Sequence, residues 1–143
     1  MDPKNDELWQ THSDNYLKMA FASDKREVVQ NPDGYGKRTG ECGDTIEIFI
    51  TIRNDSIQHI SFNTDGCLNT TACANTVACL AEGKKLNEAW DLTPDEVVDY
   101  LESLPADHNH CAELAVGVFY LALSNFEELK RNPWKKAYVN YPS

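Results

Sequence analysis

Nowhere does the chain carry an apolar run approaching the roughly 20 residues that span a bilayer, so a membrane protein is not expected. Basic charge is also scarce. Thirteen Lys and Arg stand against 23 Asp and Glu, for a net charge of −10. A protein that grips nucleic-acid phosphates needs a basic surface, so that class is set aside. The acidic surplus instead favours solubility and attraction for cations or a basic protein partner. The opening residues, MDPKNDELWQ, are polar and acidic and do not resemble a secretory signal, which makes the cytoplasm the default location. Internal repeats and low-complexity tracts are missing. The five cysteines are an odd number. Without export a disulfide framework is not expected, so these thiols read as ligands, nucleophiles or core residues. What is present is ordinary for a globular protein: 143 residues, 41% apolar and 25% charged. That is enough for one domain, residues 1–143, with a single core.

Residues 7–30 carry a loose helical stripe (Leu8, Trp9, Tyr16, Leu17, Ala20, Phe21, Val28, Val29), with a possible break near Ser23-Asp24. Asn31-Pro32-Asp33-Gly34 is a stop and turn signal. Gly34, Gly36, Gly40 and Gly43 then predict a flexible stretch that delivers Cys42. In Thr45 to Arg53 the residues Ile46, Ile48, Ile50 and Ile52 alternate strictly, which predicts a strand with one buried face. After the short turn at Asn54-Asp55, residues Ser56 to Thr64 predict its antiparallel partner, with Ile60 and Phe62 on one side and Ile57 on the other. The period then changes: Leu68 to Glu82 predicts a helix closed by Gly83. Thr93-Pro94 starts another that stops before Pro105. A long helix runs from about Asn109 or His110 to about Lys130, and an irregular Pro-rich tail follows. Strands followed by helices predict an α+β fold, a small antiparallel sheet with helices packed on one face.

Cys42 and Asp44 flank a glycine just before the first sure strand, and Cys67 follows the second. In a hairpin the start of one strand and the end of the other share an edge, so Cys42, Asp44 and Cys67 should be neighbours. His110 and Cys111 fall in the first turn of the last helix, where the dipole favours a thiolate. Thiolates with an imidazole and a carboxylate select zinc or iron–sulfur chemistry over calcium or magnesium. Taken singly, each cysteine could be a small buried hydrophobe, Asp44 a turn residue and His110 a bystander. Cys73 and Cys79 lie six apart within one helix and cannot both face one metal. They read as core fillers, with Cys73 the better candidate for an auxiliary thiol. Of the other histidines, His12 and His59 are placed elsewhere and only His108 is close enough in sequence to matter. Trp9, Trp90 and Trp134 read as packing residues.

At these residues the chain resembles the NifU/IscU-type iron–sulfur cluster assembly scaffolds. The likeness runs from about Tyr16 to about Phe126. It carries an Asn-Pro turn after the first helix, Cys42-Gly43-Asp44, Gly66-Cys67 opening a small-residue helix that ends in Gly83-Lys84, Leu104-Pro105, and His110-Cys111 followed by Glu-Leu-Ala. The resemblance implies that Cys42, Cys67 and Cys111 are cluster or zinc ligands and sulfur acceptors, that Asp44 is a ligand or controls cluster lability, and that His110 is an alternative ligand. It implies a carrier rather than an enzyme, building a transient 2Fe–2S cluster with sulfur from a cysteine desulfurase and iron from an iron donor. The product goes to acceptor apo-proteins, and zinc can take the same site. A monomer or weak homo-oligomer is expected. Two departures stand out. Asn69-Thr70-Thr71-Ala72-Cys73 replaces a Ser-rich segment and adds a thiol. Leu104-Pro105-Ala106-Asp107-His108 replaces the Leu-Pro-Pro-Val-Lys loop that an Hsp70-type chaperone reads in some members, which counts against that partner. The alternative is a zinc-dependent sulfurtransferase that accepts a persulfide from the desulfurase. The chain lacks the insertion of that branch between Cys67 and Cys111.

Overall fold

A computed structural model describes residues 12–41 and 43–134. The expected helical residues 7–11, Cys42 and the end of the tail lie outside the described residues. In chain order the elements are α1 (Asp14–Phe21), β1 (Gly34–Thr39), β2 (Thr45–Arg53), β3 (Ser56–Thr64), α2 (Leu68–Ala81), the short α3 (Leu86–Ala89), α4 (Pro94–Leu101), a 3-10 turn (Ala106–His108) and α5 (Asn109–Arg131). The architecture is α+β. Three antiparallel strands in the order β1-β2-β3 form the sheet. Its inner face, with Ile46, Ile48, Ile50, Ile60 and Phe62 at 0% exposure, is covered by helices. Among the described residues no helix is long and apolar enough to cross a membrane.

The β2–β3 hairpin turns through Asn54 and Asp55, both at positive φ (54° and 59°). Asn and Asp tolerate this left-handed pair, which matches the twist of the flanking strands. One expected detail is corrected. Thr51 pairs with His59 but Ile52 pairs with Ile57, so Gln58 is an extra residue in β3. The bulge reverses the alternation, and Ile57 is fully buried in the same core as Ile60 and Phe62.

Two more expectations are overturned. Gly34 and Gly36 belong to β1, paired with Ile50 and Ile48, and not to a flexible approach. A Cβ at Gly34 would stand 2.4 Å from the Ala122 carbonyl oxygen, and one at Gly36 2.3 Å from that of Val118. These glycines let β1 lie against the backbone of α5. The second correction concerns the first helix, which ends at Phe21 and does not run on through Val28 and Val29. The backbone beyond it turns extended at Ala22, and Arg26 forms a parallel bridge with Phe62 beside β3. The buried Asn75 side chain donates to the Met19 and Ala22 carbonyls at 3.0 and 3.2 Å. It thus satisfies acceptors that a helix end leaves open.

Helix α2 is the centre of the molecule, with Thr70 through Ala78 all buried. A helix apolar or small all round must be enclosed on every side, and α2 touches α1, β3, α4 and α5. The starts of α4 and α2 behave differently. Thr93 caps α4 through the Glu96 amide at 3.3 Å, with Pro94 at the first position. Cys67 occupies the N-cap of α2 without a side-chain cap bond. The α1 N-terminus is pinned to the end of α4: the Ser13 amide donates to Ser103 Oγ at 2.9 Å and Ser13 Oγ to the Leu101 carbonyl. That fixes the stem of the loop that leads into α5. Trp134, expected to pack, is 63% exposed, while Trp90 stacks on Tyr120 at 5.5 Å.

Candidate metal centre

The start of β2, the end of β3, the N-terminus of α2 and the N-terminus of α5 meet at one end of the molecule. The strand ends are tied first. Thr64 Oγ1 donates to the Thr45 carbonyl at 2.6 Å, and the Thr45 amide donates to Asp65 Oδ1 at 2.9 Å. Gly43 turns the approach at φ +89°, and the Gly40 amide donates to the Asp44 carbonyl. Asp44 then lies over Gly66, where a Cβ would come within 2.8 Å of its Oδ2. The bare glycine backbone makes room for the carboxylate.

Thr70, fully buried one turn into α2, sits among the candidate ligands. Its hydroxyl donates to Asp44 Oδ2 at 2.6 Å and lies 3.5 Å from Cys111 Sγ and 3.6 Å from Cys67 Sγ. One hydroxyl proton cannot serve three acceptors, and the short bond to the carboxylate takes it. The structure therefore brings Asp44, Cys67 and Cys111 together around a residue that the sequence reading passed over. The signal was present: Thr70 stands three positions after an N-cap, where a side chain looks back along the helix to the cap.

The two sulfurs differ in access. Cys67 is exposed, at the positive end of the α2 dipole. Cys111 is 1% exposed, in the first turn of α5. Next to it His110 is exposed, with Nε2 3.7 Å from Cys111 Sγ. His108, at the end of the 3-10 turn, has its ring centroid 5.7 Å from that of His110. One nitrogen of each imidazole and the Cys111 sulfur all lie within 4.8 Å of one another. A cleft of about 380 Å³ opens beside His110, lined by Arg38, Glu41 and Glu113 among others.

Cys73 is wholly buried beneath this site. Burial pushes its thiol far up, and the nearby Cys111 and Cys67 sulfurs push in the same direction. It stays protonated at neutral pH, and a protonated buried thiol is a poor nucleophile. Cys79 is half-buried, its thiol also raised by burial. Tyr16, expected only as part of an apolar stripe, lends a polar atom here. Its hydroxyl donates to Asn69 Oδ1 at 2.5 Å, and burial, with Cys67, Cys73 and Cys111 adding, pushes its phenol up to about 12.

Residues 25–132 match the NifU-like N-terminal domain family. The chain belongs to that family. It is 31% identical over 99 residues to the iron-sulfur cluster assembly scaffold protein IscU 1 of Archaeoglobus fulgidus, covering 68% of this chain and 65% of that protein. It is 25% identical over 128 residues to the nitrogen fixation protein NifU of Trichormus azollae, covering 83% of this chain and 42% of that one. The chain thus spans less than two-thirds of the length of these curated relatives. Among solved structures, the N-terminal part of a nitrogen-fixing NifU-like protein from Brucella abortus superposes with a TM-score of 0.65 at 15% identity, over 81% of this chain and 94% of that one. At that identity the likeness shows the fold.

Proposed function

We propose that this NifU-family protein is a scaffold on which a transient 2Fe–2S cluster is assembled and from which it is handed to acceptor apo-proteins. The observation that carries the reading is the gathering of Asp44, Cys67 and Cys111 around the Thr70 hydroxyl, with His110 beside Cys111. Cys42 completes the proposed ligand set by resemblance. Three thiolates hold iron well, and a carboxylate or imidazole in place of a fourth holds it less tightly. A carrier that must release its product needs that imbalance, whereas four thiolates would retain the cluster.

In this reading the whole chain, residues 1–143, is one scaffold domain. A cysteine desulfurase docks at the exposed end and passes sulfur as a persulfide to one of the thiolates. Iron arrives from a donor. Each sulfane sulfur takes up two electrons to become a bridging sulfide, so an electron donor belongs to the reaction. The chemistry needs reduced thiols, which suits the cytoplasm. Cys73, buried and protonated, contributes to sulfur transfer only if the α2–α5 contact opens.

The test is anaerobic reconstitution with iron, cysteine and a desulfurase, on the wild type beside single Cys→Ser variants at positions 42, 67, 73 and 111. A 2Fe–2S absorption spectrum in the wild type and in Cys73→Ser, lost in the other three, is the expected result. A protein that stays colourless while its zinc-bound form accelerates desulfurase turnover would instead be a sulfurtransferase. Asp44→Ala should change the lifetime of the cluster. An unchanged lifetime would reduce the site to a plain zinc-stabilised module.

A further inference from the structure

We propose that His108 is a metal ligand, forming with His110 and Cys111 a ready-made seat for a single ferrous ion at the N-terminus of α5. The inference rests on the scaffold reading only for the purpose of the ion. The seat itself is a property of this chain.

Two independent observations support it. First, a ring nitrogen from His108, one from His110 and the Cys111 sulfur already lie within 4.8 Å of one another. The His110 Nε2 to Cys111 Sγ distance of 3.7 Å is close to the edge, about 3.5 Å, of a tetrahedron with metal–nitrogen bonds near 2.0 Å and metal–sulfur bonds near 2.3 Å. The His108 nitrogen lies within 4.8 Å of both, at the end of a 3-10 turn. Second, among the described residues His108 Nδ1 is buried and has no hydrogen-bond partner. Buried polar atoms without partners are uncommon and costly, and an absent ion is one of the usual reasons. His12 makes a hydrogen bond to Ser103 and His59 lies near Glu27, so neither shares this condition.

The sequence supplies the geometry cheaply. His108, His110 and Cys111 span one turn, where the chain passes from the 3-10 turn into the helix. The loop is held from behind by the Ser13 bonds to Leu101 and Ser103. On the solvent side the cleft beside His110 is lined by Glu41 and Glu113 with Arg38. Two imidazoles and one thiolate make a borderline donor set, suited to ferrous iron or zinc and poor for magnesium or calcium. Such a seat leaves a fourth position open, and its Cys111 sulfur lies 3.5 Å from the Thr70 hydroxyl that bonds Asp44. Iron held there waits beside the thiolates that receive sulfur, so the first metal can load before any sulfide is present.

The experiment uses the full chain, metal-free and reduced, with metal alone as the probe. Zinc is added to protein carrying 15N-labelled histidine, and the ring nitrogens are followed by NMR. The expected result is that His108 Nδ1 and a His110 ring nitrogen move to metal-bound shifts at one equivalent, while His12 and His59 do not. In parallel, cobalt is titrated anaerobically as a coloured stand-in for ferrous iron. His108→Ala should weaken cobalt binding at least tenfold, whereas Asn109→Ala should leave it unchanged. His108 signals that stay put at saturating zinc, or cobalt affinity unaffected by His108→Ala in a folded protein, would overturn the seat. Metal bound through His108 in a protein that never reconstitutes a cluster would leave the seat standing and remove the scaffold. Normal cluster assembly with His108 unmoved would do the reverse.

Discussion

Replacing Thr70 by valine is the sharpest perturbation the centre offers, because it exchanges one hydroxyl for one methyl at nearly constant volume. Thr70 is fully buried, so no cavity opens and no solvent takes over the lost role. The hydroxyl donates to the Asp44 carboxylate at 2.6 Å. A hydrogen bond to a charged group contributes about 1.5–3 kcal/mol. The added methyl returns at most about 0.8 kcal/mol, and less here, since it would face a carboxylate and two sulfurs. Thr70→Val should therefore destabilise the metal-free protein by about 1–2 kcal/mol, read as a lower urea midpoint at unchanged slope. A larger effect is expected on metal binding, because the hydroxyl orients Asp44 and stands against both sulfurs. Loss of such an orienting partner lowers metal affinity by about 10–100-fold. Thr70→Ser separates the two effects. It keeps the hydroxyl but gives up a buried methyl, costing about 1 kcal/mol of stability with zinc affinity retained. If Thr70→Val bound zinc as tightly as the wild type, the hydroxyl would be a packing feature and the centre would not be organised around it.

Gly36→Ala should cost about 1–3 kcal/mol, because its Cβ would meet the Val118 carbonyl oxygen at 2.3 Å and the Ala122 nitrogen at 2.8 Å, neither of which can swing away. Gly83→Ala, at φ +88° with nothing within 4 Å, should cost only the left-handed strain of about 1 kcal/mol, and equal losses in urea melts would refute the distinction. Iodoacetamide on the native metal-free chain should label Cys67 well before Cys73, the two becoming alike only on unfolding, and mass mapping that finds equal native rates would contradict the burial of Cys73. Tyr16 binds its proton more tightly folded than unfolded, so its contribution to stability is complete below about pH 10 and is lost as pH rises toward about 12. Tyr16→Phe should flatten that part of the stability–pH curve, and an unchanged slope would mean that the phenol is not held neutral.

What the sequence made legible was local. Ile46, Ile48 and Ile50 alternate because one face of β2 is buried, and Thr93-Pro94 starts a helix because the Thr93 side chain accepts from the Glu96 amide three positions on. Local pattern misled wherever a distant neighbour decided. Gly34 and Gly36 read as a flexible loop, yet they are small because the backbone of α5 at Val118 and Ala122 lies against them. Ile57 read as outward-facing until the extra residue Gln58 reversed the alternation, which no period-two pattern announces. The stripe reaching Val28 breaks at Ala22, where the backbone turns extended and the Asn75 side chain, more than fifty positions on, donates to the Met19 and Ala22 carbonyls.

The same division runs through the centre. Hairpin topology alone put Asp44 and Cys67 at one edge, because strand ends in an antiparallel pair must meet, and the structure holds both there. Cys111 arrives by a different route, from the start of a helix whose position is set by its packing on β1. Thr70 escaped notice because its role exists only across the gap it bridges, to Asp44 26 positions away and to Cys111 41 positions away. A buried threonine in a small-residue helix carries no mark of that in its own neighbourhood. His108 was seen and left without a role, since spacing cannot tell a solvated loop histidine from one whose nitrogen is buried with nothing to bond. Only burial makes that nitrogen a question, and the proposed metal ion is an answer that also draws on His110 and Cys111.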